Sequence, residues 1–344
     1  MKFSYETNIE PKELSVLNAV VESYIDLCRP ISSNYLKKHY FKNYSSSHIR
    51  FLMNSLEKKN LLMHYHISGG RVPTDLGYRV YVDSFGDIIN HNQIKKDEIE
   101  KKLDSSSENT EQLLEATAYM LSKMSNMYSV VMLHDNDSSI LKNIEIVNIN
   151  SDSRLMMILT LDNGLIRSIV LNIDLKIKTS FIDKIVLELK NKLIGLSLFQ
   201  IQNSIIHRLN DTENYNHELI QVIINDSKKY FSIDKEKLIF TSSAGTLLDY
   251  PEFQDIDQFQ RILPALDKKY LINYFESAFS DSSLEMIIGS ENKDSIFSNC
   301  AIISMNFECD SVLGRLAVIG PKRTNYINKQ IILKKFTEVI QNAL

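Results

Sequence analysis

Residues 45 to 58, SSSHIRFLMNSLEK, carry two faces on one stretch. Set out at 100° per residue, Ile49, Leu52, Met53 and Leu56 gather on one side, while Ser47, Arg50, Phe51, Asn54 and Lys58 gather on the other. The first side belongs in a core. The second offers an arginine fork, an amide, an aromatic ring and a lysine. Those groups suit a DNA major groove: Arg reaches guanine with two hydrogen bonds, Asn reaches adenine, an apolar group meets a thymine methyl and Lys binds phosphate. Ser46, Ser47 and His48 open the helix and extend this polar surface. A lone surface helix with one Arg would not carry the reading; the elements around it do.

Upstream, Pro11 and the recurrence of Leu14, Leu17, Val20, Val21, Tyr24 and Ile25 predict a helix over 11–28, which Pro30 ends. Ser32 or Ser33 caps a second short helix running to about Tyr40. Downstream, 61–67 is rich in strand formers, Ser68-Gly69-Gly70 supplies positive-φ turn positions, and Arg71-Val72-Pro73 returns as a second strand. Three helices and a hairpin make the ground plan of a winged helix-turn-helix. In it, the backbone of Ser68, Gly69 and Gly70 and the side chain of Arg71 lie beside phosphate or minor groove.

Charge points the same way. The chain carries −4 overall, yet from Arg29 to Arg79 nine basic residues face two acids, a local +7 on an acidic remainder. Competing readings are weaker. His64 and His66 share a strand face but lack a third ligand. SGGR lacks the spacing of a nucleotide loop.

A helix from Asp75 to about Ile89 follows, then a charged linker over 90–104. Ser105-Ser106-Ser107-Glu108 reads as a capping box opening a helix through Met124. From Tyr128 the period changes to strands: 128–133, 144–149, 154–161 and 165–173, the last two joined by Asp162-Asn163-Gly164. Helices then occupy 181–193, 198–230 and 250–278, with a strand at 237–241. Strands near 284–288, 301–307 and 312–319 and a final helix after Tyr326 close the chain. The expected class is multidomain α+β, with one sheet domain and a helix-rich insertion.

With 344 residues, 44% hydrophobic and 24% charged, the chain has the composition of a globular protein of two or three domains. No signal peptide or membrane-length apolar run is present, and Cys28, Cys300 and Cys309 lack metal-ligand spacing, so a cytoplasmic protein without membrane partner, metal or cofactor is expected. His134-Asp135, His207 and Ser290-Glu291 stand outside any catalytic motif, so no enzyme is expected. Gly320-Pro321-Lys322-Arg323 either binds an anion with its two cations or forms a turn packed against the linker helix.

The spelling adds a family. Ser47-His48-Ile49-Arg50, the run Ser68-Gly69-Gly70-Arg71-Val72-Pro73-Thr74-Asp75 continuing Gly77-Tyr78-Arg79, Pro251-Glu252-Phe253, Ile288-Gly289 with Glu291, and Ile319-Gly320-Pro321 with Arg323 and Tyr326 resemble the heat-inducible transcription repressor HrcA family. The resemblance implies a winged-helix DNA-binding domain (1–90), a linker and connecting helix (91–127), a GAF-like domain (128–195 plus 266–344) and an inserted dimerising domain (196–265). It further implies a homodimer on double-stranded DNA at an inverted-repeat operator, CIRCE, repressing chaperone operons, with chaperonin as the modulating partner. Cys28 and Ser32 stand where the family has Gly, Phe51 where it has Asn, and Lys322 and Thr324 where Thr and Met are commoner. A different reading, a regulator whose GAF-like body senses a small molecule, shares the same head.

Overall fold

A computed structural model describes residues 9–65, 70–85, 99, 103, 109–134, 139–150, 154–173, 177–278, 283–309 and 312–343. It opens with α1 (Pro11–Leu27), α2 (Ser33–His39) and α3 (Ser46–Lys58). Local hydrogen bonds fix their starts. Ser32 Oγ accepts from the Tyr35 N–H at 3.2 Å, and Ser45 Oγ accepts from the His48 N–H at 3.1 Å. The apolar stripes close on one core, where Leu17, Val20, Leu36, Ile49, Leu52, Met53 and Leu56 are at most 4% exposed. Each such burial stabilises by roughly 1.5–3 kcal/mol, which holds short helices that would be marginal alone.

α1 ends on Cys28, whose N–H bonds Tyr24 O at 3.0 Å with φ at +54°. Glycine is the residue that fits this left-handed cap without strain; a side chain there costs about 1–2 kcal/mol. Next, β1 (Leu62–His64) and β2 (Arg71–Pro73) pair antiparallel, with His64 opposite Arg71. Ile31 joins them, exchanging both backbone hydrogen bonds with Arg71 at 2.8 and 2.9 Å. The turn spelling predicts a positive φ at Gly70, but Gly70 is not among the positive-φ glycines. Its need is close approach: a Cβ there would lie 2.5 Å from the Ile31 carbonyl. Ser68 and Gly69 lie outside the described residues.

α4 (Asp75–Asp83) starts on Thr74, whose Oγ1 accepts from the Gly77 N–H at 3.0 Å, and is shorter than expected. The capping box at 105–108 lies outside the described residues. The helix α5 (Thr110–Ser125) starts on Asn109, whose Oδ1 accepts from the Gln112 N–H at 3.0 Å.

The body then differs from expectation in its pairing. β3 (Tyr128–Leu133) is followed by β4 (Leu141–Asn150), β5 (Arg154–Leu161) and β6 (Ile166–Asn172), and these last three form a sheet of their own in the order β4-β5-β6. The turn between β5 and β6 holds Gly164 at φ +75°, as its Asp-Asn-Gly spelling predicts. α6 (Thr179–Leu193) packs on β4, and α7 (Leu198–Leu209), α8 (Glu218–Asn225) and α9 (Ser227–Tyr230) follow.

β7 (Ile239–Thr241), α10 (Ile256–Ile262), α11 (Lys268–Ala278), β8 (Leu284–Ile288), β9 (Cys300–Cys309), β10 (Val312–Pro321) and α12 (Tyr326–Ala343) complete the chain. The second sheet runs β7-β3-β10-β9-β8, all antiparallel. Both edges of β3 are taken, by β7 and β10, so β4 cannot add to it and the hairpin strands find only one another. The single sheet expected from sequence is therefore two. All six residues of β3 are buried because both faces are covered. Val131 and Leu133 join the core that includes α5 and α12, while Tyr128, Val130 and Met132 pack with Phe253, Leu271, Phe275 and Phe297. The result is a mixed α and β multidomain chain with antiparallel sheets.

One buried acid joins α1 to α3. Glu13 is 4% exposed and accepts from Ser55 Oγ at 2.6 Å, Lys59 Nζ at 2.5 Å and the Glu10 N–H at 3.0 Å. Burial alone raises its pKa, but these hydrogen bonds and the Lys59 charge outweigh that and leave it lowered. The folded state then binds this proton less readily than the unfolded chain, whose Glu titrates near about 4.3. The linked stability is fully present above that value and is lost as pH falls through the lowered folded value. Urea midpoints measured from pH 6 down to pH 3 should therefore fall more steeply in the native chain than in Glu13→Gln. Parallel curves would show that Glu13 carries no such linkage.

Candidate nucleic-acid interface

The solvent side of α3 is continuous. Ser47, His48, Arg50, Phe51, Asn54 and Lys58 are all exposed, and Phe51 is 68% exposed, an unusual state for an aromatic ring. The core side holds this row in place, since Ile49, Leu52, Met53 and Leu56 leave α3 no freedom to roll. His48 sits edge-on to the Tyr44 ring at 5.2 Å, and Tyr44 stacks on Phe41 at 5.5 Å, so the turn before α3 is itself an aromatic cluster.

Three of the residues expected on this surface are placed differently. Ser46 is half-buried; its hydroxyl donates to Asn34 Oδ1 at 2.6 Å and lies 3.2 Å from Ser33 Oγ, fixing α3 against α2. Gly70 lies against Ile31. Arg71, expected beside phosphate, turns inward: its side chain is 11% exposed, Nε donates to Glu57 Oε2 at 2.9 Å, and a terminal nitrogen donates to Asn54 Oδ1 at 2.6 Å. Glu57 also lies 3.5 Å from His64 Nε2. The hairpin is thus tied to the C-terminal half of α3 by side chains as well as by its backbone. Only the fold brings Arg71 to Glu57, and nothing in the spacing announces it.

The basic surplus divides accordingly. Arg71, Arg79 and Lys59 are committed to acids within the protein, whereas Arg29, Lys37, Lys38, Lys42, Arg50 and Lys58 are exposed. Lys37 and Lys38 occupy the last turn of α2, so the free cations lie on α2, on the loops flanking it and on α3.

A second set of charges holds this head on the body. Arg79, 8% exposed, donates to both oxygens of Glu291, at 2.7 and 2.5 Å, and to Met286 O at 2.5 Å. Burial disfavours its charge, but the Glu291 hydrogen bonds and charge more than compensate and raise its pKa. Asp75 Oδ2 accepts from the Ser290 N–H at 2.8 Å, and its Oδ1 accepts from Lys322 Nζ at 2.6 Å. Gly289 makes this approach possible. Its φ is +54°, and a Cβ would lie 2.4 Å from the Asp75 carboxylate. Arg323 grips Glu252 at 2.8 and 3.2 Å and donates to Ile25 O, at the end of α1, at 3.1 Å. The Tyr78 and Tyr326 rings, both buried, lie 6.1 Å apart beneath these pairs.

The turn 320–323 is therefore packed against the head, with both its cations in use. Ser290-Glu291 is a docking corner rather than a nucleophile pair. Among the described residues no cluster of metal-ligating side chains occurs, and no helix is long and apolar enough to cross a membrane.

Comparison with known proteins points in one direction. A family model described as HrcA protein C terminal domain matches residues 111–329. The "Heat-inducible transcription repressor HrcA" of Thermodesulfovibrio yellowstonii is 26% identical over 346 residues, covering 98% of this chain and 99% of the relative. The protein of the same name from Alkaliphilus metalliredigens is 28% identical over 344 residues, with 98% of each chain covered. A crystal structure of a hypothetical protein at 2.2 Å resolution superposes with a TM-score of 0.68 at 17% identity, covering 98% of this chain and 100% of that one, which establishes a shared fold.

The docking corner makes a direct prediction. Glu291→Ala leaves Arg79 buried without its main partner, which costs about 3–5 kcal/mol in unfolding free energy. The exposed Glu308→Ala should stay within about 0.5 kcal/mol of the native chain. Urea unfolding of both variants checks this, and equal midpoints would remove Arg79–Glu291 from the account.

Proposed function

This chain belongs to the HrcA family of heat-inducible transcription repressors, and on that premise we propose that it represses transcription by sequence-specific binding of double-stranded DNA. The observation that carries the reading is the solvent row of α3, Ser47, Arg50, Phe51, Asn54 and Lys58, held outward by a fully buried opposite face. In this reading α1 to α3 with β1 and β2 form a winged helix-turn-helix, and α3 enters the major groove. Arg50 reads a base edge, Phe51 meets a thymine methyl, Ser47 and His48 lie at the groove edge, and the exposed lysines of α2 and its loops bind phosphate.

The body is proposed as a GAF-like domain built on the five-stranded sheet. We take the inserted domain to lie between β3 and β7, starting earlier and ending earlier than the 196–265 expected from sequence; the pairing of β7 with β3 supports that division. That insertion is the proposed dimerising unit. Across the β4-β5-β6 sheet, Val147, Met156 and Val170 stand opposite one another, and Val147 and Val170 are 38% and 52% exposed, an apolar row suited to a second copy. Two heads on a two-fold axis match an inverted-repeat operator of the CIRCE type upstream of chaperone genes. Chaperonin as modulator enters this reading from the family resemblance.

Selection of bound duplexes from a random pool, at one stated salt concentration, tests the reading. An enriched inverted repeat is expected; a pool that stays random would overturn it. On the enriched site Arg50→Ala should lose about 1–3 kcal/mol in specific binding and relax one position in each arm. Unchanged affinity and preference would take Arg50 out of the recognition face.

A further inference from the structure

The contact between Arg71 and Asn54 bears on which base the third helix selects. A guanidinium has only N–H donors, so the Asn54 atom 2.6 Å from Arg71 must be its carbonyl oxygen. That fixes the orientation of an amide whose two ends are otherwise interchangeable. The arginine is itself fixed. Its Nε donates to Glu57 at 2.9 Å, its backbone pairs with Ile31 in both directions, and its side chain is 11% exposed. Asn54 nevertheless remains exposed, and among the described residues nothing accepts from its Nδ2.

An unconstrained Asn favours adenine because it accepts from N6 while donating to N7. Here a cation already donates to the oxygen. Its charge opposes a second donor at that end and polarises the amide so that Nδ2–H becomes the stronger donor.

We propose that Asn54 reads DNA as a hydrogen-bond donor held by Arg71, and that its partner is a base edge presenting acceptors where the amide meets it, guanine O6 and N7 or thymine O4, while adenine is disfavoured because the N6 donor beside its N7 acceptor meets an amide oxygen already occupied by Arg71. Arg71 is then a positioning residue. It touches no base and sets the polarity of the one that does. Neither residue hints at this by itself, since Asn54 alone predicts adenine and Arg71 alone predicts phosphate.

The inference rests on α3 entering the major groove, and its test separates the two. Duplexes are selected from a random pool by the full chain, by Asn54→Ala and by Asn54→Asp. The aspartate keeps an acceptor for Arg71, so the hairpin stays tied to α3, and it replaces the donor with a second acceptor. Thermal melting is followed alongside, and both variants are expected to melt near the native chain.

The native chain should select guanine or thymine at one position per arm, and Asn54→Ala should lose about tenfold of the discrimination at that position alone. Asn54→Asp should move the preference at the same position toward cytosine, whose N4 is a donor. Adenine at the Asn54-dependent position would overturn the inference while leaving the DNA-binding reading intact. Equal weakening on every sequence would also overturn it, as the mark of a phosphate contact. A native pool that never enriches would instead sink the reading on which the inference rests.

Discussion

The pair between Arg79 and Glu291 is the interaction on which the arrangement of the molecule depends. A guanidinium that is 8% exposed is tolerable only when its charge and its donors are matched, and Glu291 and the Met286 carbonyl match them. Buried pairs of this kind add little net stability over an apolar contact, but they admit few alternative geometries. α4 is fixed on the body by that pair and by Asp75, and Thr74 at its start donates to Asn60 O at 2.6 Å, just past the end of α3. The direction in which α3 faces solvent is thereby tied to the body through α4, and again through α1 by the Arg323 hydrogen bond to Ile25 O.

Seen this way, the positive charge of the head divides into two kinds of work. Arg71, Arg79 and Lys59 meet Glu57, Glu291 and Glu13 and build the scaffold. Arg29, Lys37, Lys38, Lys42, Arg50 and Lys58 stay in water, where they are free to meet phosphate or base. Net charge and local surplus suggest a polyanion partner, but only burial tells which cations are available to it. The same sorting gives the charged residues of the body their structural work: Glu291, Glu252 and Arg323, with Gly289 beside them, gather where head meets body.

What sequence made legible follows from range. The period of α3, the serine caps of α2 and α3, and the Asp-Asn-Gly turn are local, set by neighbours within a few residues, and the structure agrees with each. Glu13 with Lys59, Arg71 with Glu57, and Arg79 with Glu291 are separated by 46, 14 and 212 residues, and no periodicity links them. Hence Arg71 read as a phosphate contact and Ser290-Glu291 as an isolated candidate. Sequence merges the two sheets for a related reason: strand propensity identifies β4 to β6, but only the occupancy of both edges of β3 excludes them from its sheet. Gly70 looked like a turn residue because crowding against Ile31 leaves no mark in sequence.

In the proposed function the outer row of α3 reads base edges in the major groove. Methylation interference at guanine N7 on an enriched duplex tests it most directly, because the added methyl lies in that groove and leaves the phosphates untouched. Interference is expected at symmetric positions in the two arms, with the signal at one position per arm abolished in Arg50→Ala. Binding that ignores N7 methylation, or an interference pattern identical in Arg50→Ala, would contradict it.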